Sequence, residues 1–139
     1  FLDDTSFQEV LPDNYGFDKP ENVSRVVFCS GKVYYDIIAY REENGIKNVA
    51  IVRIEQLYPF HIEAVKQAIS PYSSAKKFVW CQEEPLNMGA WGYIQPRLKE
   101  ATGRGVRYAG RDRASSPSTG SKAVHKREQK MLCEEAFSV

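Results

Sequence analysis

An α/β fold with a mostly parallel sheet is what this sequence predicts, and three observations predict it. Short apolar, β-branched runs recur at "RVVFCS" (25–30), "VAIVRI" (49–54), "KKFVWCQ" (76–82) and "VRYAG" (106–110). Amphipathic stretches of helical length separate them. The first run is unbroken and bounded by Gly31, as expected of a strand buried on both faces. Alternation of this kind gives a three-layer αβα domain, with right-handed crossovers and helices on both faces of the sheet.

Residues 1–22 are acidic and punctuated by Pro, Gly and Asn without sustained periodicity. They are expected to be a lead-in segment or linker from an upstream domain, and residues 23–139 the domain itself. After the first strand, "KVYYDIIAYREENG" places Val33, Ile37 and Tyr40 on one helical face and stops at Gly45. "HIEAVKQAIS" sets Ile62, Val65 and Ile69 at helical spacing between Pro59 and Pro71. "AWGYIQPRLKEATG" reads as a helix that Pro96 should kink or delay. A last helix, from Ser121 to Phe137, is expected to turn Val124, Met131 and Leu132 inward.

A chain of 139 residues has the size of one domain and buries roughly 68% of its unfolded surface. Its net charge of +1 gives no global field for nucleic acid or an anionic membrane, so neither is an expected partner. No apolar run approaches the ~20 residues of a spanning helix, and no signal-peptide pattern is present. Cys29, Cys81 and Cys133 form no C-x-x-C pair, which argues against a zinc site or disulfide framework and for a reducing compartment. The chain begins at Phe1 rather than Met, so a fragment of something longer is expected.

Charge is unevenly placed. Residues 1–22 carry six acids and one base, and residues 97–130 carry ten bases and three acids. The basic stretch is either a solvated face or a surface that meets an anionic ligand or an acidic protein.

Loops at the carboxyl ends of parallel strands form the usual ligand crevice. Three qualify: "CSGK" (29–32), "CQEEPLNMG" (81–89) and "AGRDRASSPSTGSK" (109–122). Lys32, at the entry to a helix, suits an anion, although Gly31 equally serves a tight turn. In the third loop Arg111, Arg113, Ser115 and Ser116 supply forks and hydroxyls that a phosphate needs. The same residues also satisfy the backbone of a long loop, or pair with carboxylates of a neighbouring domain. The loop is not a Walker motif, because Ser121 separates Gly120 from Lys122.

Glu83 and Glu84 are consecutive, so an extended backbone points them apart and they make no acid–base pair. Cys81 has no histidine near it in sequence; the only two are His61 and His125. The cluster Cys81–Glu84 is therefore read as scaffold, with one glutamate paired to an arginine of the 109–122 loop.

"VVFCSGKVYYDI", "VAIVRIEQLYPF", "FVWCQEEPLNMGAW" and "RYAGRDRASSPSTGSKAVHKREQ" together resemble the C-terminal domain of the thiamine-dependent decarboxylating component of 2-oxoglutarate dehydrogenase. "SFQEVLPD" (6–13) resembles the segment leading into it. Met88 and Ser118 depart from the usual glutamine and alanine. The resemblance implies a transketolase-like C-terminal domain. It implies a homodimeric parent that decarboxylates 2-oxoglutarate on thiamine diphosphate and magnesium. That parent then succinylates the lipoyl group of the dihydrolipoyl succinyltransferase complex, in the tricarboxylic acid cycle. The bacterial cytoplasm is the expected compartment, or the mitochondrial matrix if the source is eukaryotic.

The family's diphosphate signature, Gly-Asp-Gly followed by paired asparagines, does not occur here. No catalytic, cofactor-binding or metal-binding residue therefore carries over, and the isolated chain is expected to be inactive. In actinobacterial members acetyl-CoA binds where this domain meets the preceding one. A lysine and a serine of the lead-in segment match Ser6 and Glu9, a glutamine matches Gln56, and two arginines match Glu63 and Ala64. Only Gln56 agrees, and the glutamates would repel a phosphorylated ligand, so acetyl-CoA is not the expected effector.

The expected role is structural: bracing neighbouring domains, contributing to the dimer and hosting a regulatory anion near Lys32, Gln56, Arg111, Arg113, Ser115 and Ser116. Two alternatives stand beside it. One is a stand-alone anion- or nucleotide-binding module; the other is a Cys81-dependent enzyme with a depressed thiol pKa.

Overall fold

A computed structural model describes residues 10–13, 15–55, 60–85, 89–111 and 122–137. The strands are β1 (Val10–Leu11), β2 (Arg25–Cys29), β3 (Val49–Ile54), β4 (Lys77–Pro85) and β5 (Val106–Arg111). The helices are α1 (Val33–Glu43), α2 (Ile62–Ile69), α3 (Trp91–Thr102) and α4 (Lys122–Phe137). One sheet runs in the order β1-β3-β2-β4-β5. Its last four strands are parallel, and β1 pairs antiparallel with β3 through Val10↔Ile54.

Successive strand residues point to opposite faces, and here both faces are covered. Val26, Phe28, Val52, Ile54 and Trp80 pack with Val65 and Ala68 of α2 and with Ile94 and Leu98 of α3. Their odd-numbered neighbours Val27, Cys29, Ile51, Val79 and Cys81 pack with Val33 and Ile37 of α1 and with Leu132, Cys133 and Ala136 of α4. Every residue of β2 is buried as a result. The chain steps from β2 outward to β3, then back past β2 to β4 and β5. Right-handed crossovers in opposite directions put α1 on one face and α2 and α3 on the other. The three-layer αβα expectation holds.

The lead-in segment, expected as a linker without sustained periodicity, contributes strand β1, and Val10 and Phe17 pack against the α2–α3 core. Three local expectations do not hold. Strand β4 does not end at Gln82 but continues to Pro85, after a register shift between Gln82 and Pro85 against β5. Pro96 does not delay α3, which starts at Trp91 and runs through it. The carbonyl that Pro96 cannot bond belongs to Gly92, an exposed residue whose carbonyl water can reach. Met131 is 58% exposed, whereas Leu132 turns inward as expected and is joined there by Cys133 and Ala136. Val124's side chain lies outside the described residues.

Candidate functional site

Strand order reverses at β2, between β3 and β4, so the carboxyl ends of β2 and β4 flank the switch point where open α/β sheets place ligands. A surface cavity of about 550 Å³ lies there, lined by Lys32, Tyr35, Asp36, Glu83, Lys126 and Gln129. Lys32 is exposed and precedes the first turn of α1 without making a side-chain cap. Gln129 reaches from α4 and donates through Nε2 to Asp36 Oδ2 at 2.9 Å. Its Oε1 is buried with no hydrogen-bond partner among the described residues. Two lysines and two carboxylates line the cavity, so charge alone does not commit it to an anion.

The structure thus places one of the sequence-derived candidates, Lys32, at the crevice. Arg111 closes β5 with its backbone, while its side chain, together with Gln56, Arg113, Ser115 and Ser116, lies outside the described residues. The expected glutamate–arginine pairing with the 109–122 loop lies outside them as well, as do Ser6 and Glu9. Glu63 is on the surface of α2, 3.5 Å from Lys66. Sequence reading missed Tyr35, Asp36, Lys126 and Gln129. Their signal was faint: polar residues three or four apart with Lys32 on α1, and again on α4, each marking one helix face.

At the rim Arg53 lies 4.8 Å from the Tyr34 ring and 5.2 Å from the Tyr35 ring, and the two rings meet edge-on with centroids 5.3 Å apart. Its Nε meets Glu55 Oε2 at 2.6 Å. Desolvation lowers the Arg53 pKa, but the hydrogen bond to Tyr35 and the Glu55 carboxylate outweigh it and leave the value raised. Tyr35 is held by this arrangement and is still 61% exposed.

The Cys81–Glu84 stretch is built into the fold. Gln82 is buried; its Oε1 accepts from Trp80 Nε1 at 2.9 Å and its Nε2 donates to the Glu84 carbonyl at 3.1 Å. Tyr108 donates its hydroxyl to the same carbonyl at 3.2 Å, and its ring packs 5.4 Å from Trp91. Gly89 returns the chain over this corner. A Cβ there would sit 3.2 Å from the Gln82 amide and from Glu84 Oε1, on a backbone with φ +75°. Glu83 lines the crevice while Glu84 lies against Gly89, so the two carboxylates diverge as expected.

Cys81 has no exposed surface, and burial pushes its thiol well above the usual range, with Cys29 and Cys133 adding to the effect. Burial raises Cys29 to about 12 and Cys133 to about 11. A nucleophilic thiol needs the opposite shift, which removes the Cys81-dependent enzyme from consideration. Among the described residues, no three His, Cys, Asp or Glu side chains converge as a metal site. No helix among them is long and apolar enough to cross a membrane.

Residues 1–137 match the family described as 2-oxoglutarate dehydrogenase C-terminal. The chain is 48% identical over 135 residues to a "2-oxoglutarate dehydrogenase E1 component" of Haemophilus influenzae, covering 96% of this chain and 14% of that protein. It is 44% identical over 144 residues to a "2-oxoglutarate dehydrogenase, mitochondrial" of Caenorhabditis briggsae, covering 100% of this chain and 14% of that protein. The chain therefore spans about a seventh of the length of these relatives. Among solved structures, one titled "Split gene transketolase, inactive beta4 tetramer" aligns with a TM-score of 0.57 at 12% identity. The alignment covers 83% of this chain and 37% of that one. At that identity the likeness establishes the fold.

Proposed function

The chain belongs to the 2-oxoglutarate dehydrogenase C-terminal family, and from that premise we propose that it completes an E1 subunit as a supporting lobe. The whole subunit, in this reading, decarboxylates 2-oxoglutarate with thiamine diphosphate and magnesium and passes a succinyl group to a dihydrolipoyl succinyltransferase partner. One observation carries the reading: likeness to an E1 component and to a mitochondrial 2-oxoglutarate dehydrogenase runs along 96–100% of this chain yet takes up only 14% of theirs. The rest of such a subunit has room for the catalytic machinery.

The residues here do not fit the cofactor. There is no Gly-Asp-Gly and no Asn-Asn in the sequence, and the described side chains offer no three-ligand metal cluster. No chemical step is assigned to this chain. Its proposed work is mechanical: to hold neighbouring domains and a second copy of the subunit in register. Tyr35, exposed yet fixed against Arg53, is the kind of aromatic that interfaces use. The alternative of a stand-alone anion- or nucleotide-binding module is not favoured, because one family accounts for nearly the whole chain.

The compartment we propose is the bacterial cytoplasm, or the mitochondrial matrix for a eukaryotic source; relatives of both kinds match. Three buried free thiols suit either reducing environment. The test is to purify the complete subunit with thiamine diphosphate and magnesium and follow dye reduction with 2-oxoglutarate and with pyruvate. Turnover on 2-oxoglutarate, unchanged by Cys81→Ala per folded molecule, is expected. A complete subunit inert toward 2-oxoglutarate contradicts the proposal.

A further inference from the structure

The rim of the sheet opposite the switch-point crevice gathers cations with no ion-paired carboxylate among the described residues. Arg25 begins β2, Lys77 begins β4 with Lys76 just before it, and Arg107 lies near the start of β5. Parallel pairing sets Arg25 beside Lys77 and Val79 beside Arg107. Val27, Val79 and Ala109 pack in the α1–α4 layer, so the two-residue repeat puts Arg25, Lys77 and Arg107 on that same face.

Arg25 is 3% exposed. Its Nη1 donates to the Ala136 carbonyl at 3.1 Å, a neutral acceptor at the end of α4. Among the described residues none of these four cations lies within ion-pair distance of an Asp or Glu. Burial, and after it the charge of Arg107, holds the Arg25 pKa below the ordinary guanidinium value. A buried guanidinium normally faces a carboxylate, whereas the hydrogen-bond partner of this one is the neutral Ala136 carbonyl.

A simpler account makes the cations partners for the carboxyl-terminal carbonyls of α4. A helix end carries only about half a negative charge. Arg25 satisfies that demand through Ala136, and the other three charges remain.

Beside Arg25 is a cavity of about 380 Å³, lined on its polar side by Ser24, Asn48, Ser74, Lys76 and Lys77 and, among the described residues, by no acid. Ile46, Val49 and Phe137 form its apolar wall. The polar wall is fixed in advance. Asn48 Nδ2 donates to Ser24 Oγ at 3.0 Å, the Ser24 amide donates to the Asn48 carbonyl at 2.9 Å, and the Lys76 amide donates to the Ser24 carbonyl at 3.2 Å. Phe137 is stacked on Tyr40, with ring centroids 5.3 Å apart. The volume lies within the range of small-molecule sites.

We infer that this cavity binds a small organic phosphate, its dianionic head held by Arg25, Lys76 and Lys77 and its apolar body lying against Ile46, Val49 and Phe137. Several clustered positive charges favour a dianionic phosphate monoester over a monocarboxylate. The site is on the far rim from the candidate crevice and does not depend on the proposed function.

The test is calorimetric titration of the complete, cofactor-saturated subunit with phenyl phosphate, inorganic phosphate and phenol. Phenyl phosphate is expected to bind with one equivalent per subunit, and phosphate and phenol at least tenfold more weakly. The exposed double variant Lys76→Gln/Lys77→Gln, which leaves the core untouched, is expected to weaken phenyl phosphate at least tenfold. Arg25→Gln, which keeps a donor for Ala136, is expected to do the same. Absence of phenyl phosphate binding, equal affinity in the lysine variant, or inorganic phosphate binding as tightly as phenyl phosphate would overturn the inference.

Discussion

Asp13 and Arg41 form a buried ion pair, their side chains 1% and 3% exposed, that fastens the acidic lead-in segment to the body of the domain. Asp13 Oδ2 also accepts from the Ile51 amide at 2.7 Å, and Arg41 Nη1 donates to the Val49 carbonyl at 3.1 Å. The guanidinium lies 4.7 Å from the Tyr15 ring. The lead-in, helix α1 and strand β3 thus meet at one charge pair. Removing one partner leaves the other buried and uncompensated. Asp13→Ala is expected to cost about 3–5 kcal/mol in urea unfolding. The double variant with Arg41→Ala should lose much less than the sum of the singles, and additive losses would mean that the pair does not act as a unit.

Gly110 tests the close approach of β4 and β5. A Cβ there would stand 2.7 Å from the Gln82 carbonyl oxygen and 2.8 Å from the Tyr108 hydroxyl. Backbone cannot step aside as a flexible side chain does, so Gly110→Ala is expected to destabilise by about 1–3 kcal/mol. Amides of Gln82 to Glu84 should exchange hydrogen faster than those of β2. A neutral substitution would mean that the strands are looser there than described.

The Gln82 side chain gives a sharper test of the Cys81–Glu84 stretch. Gln82→Leu leaves the Trp80 indole N–H without its acceptor in the core, which is expected to cost about 1–3 kcal/mol. The scaffold reading predicts that this loss appears in thermal unfolding, while turnover per folded subunit changes little. A large fall in turnover at unchanged stability would return the stretch to the list of catalytic elements.

The thiols predict an alkaline limit. Ordinary thiols titrate near 9.0, whereas folding holds Cys29 to about 12 and Cys133 to about 11. Above pH 9 the unfolded chain loses thiol protons that the folded chain keeps. Stability from these groups is therefore complete below the unfolded value and falls as pH rises toward the folded ones. Each thiol should contribute a slope of about 1.4 kcal/mol per pH unit in that window. Urea midpoints measured between pH 8 and 11 should show the decline, and Cys29→Ala should flatten it. Iodoacetamide at pH 8 should leave all three cysteines unmodified until the chain unfolds.

The central strands and all four helices were legible in the sequence because burial on both faces leaves unbroken apolar runs such as Arg25–Cys29. Elements decided by distant partners were not. Val10 and Leu11 are a strand only because Ile54 and Arg53 offer an edge. Glu83 and Glu84 carry turn-like polarity, yet Tyr108 and Trp80 draw their strand onward through hydrogen bonds invisible in local sequence. Met131 and Leu132 both suit an apolar helical spacing with Val124, but only Leu132 joins the core with Val27 and Ile37, while Met131 is exposed. Of the candidate site, Lys32 was legible from its place after a strand. Gln129 and Lys126 were not, since they reach the same crevice from nearly a hundred residues further along.

The most direct measurement is 2-oxoglutarate-dependent dye reduction by the 139-residue chain alone, with thiamine diphosphate and magnesium in excess and folding verified by circular dichroism. A folded chain with no turnover is the predicted result. Turnover by that chain would place the chemistry within these residues and contradict the account.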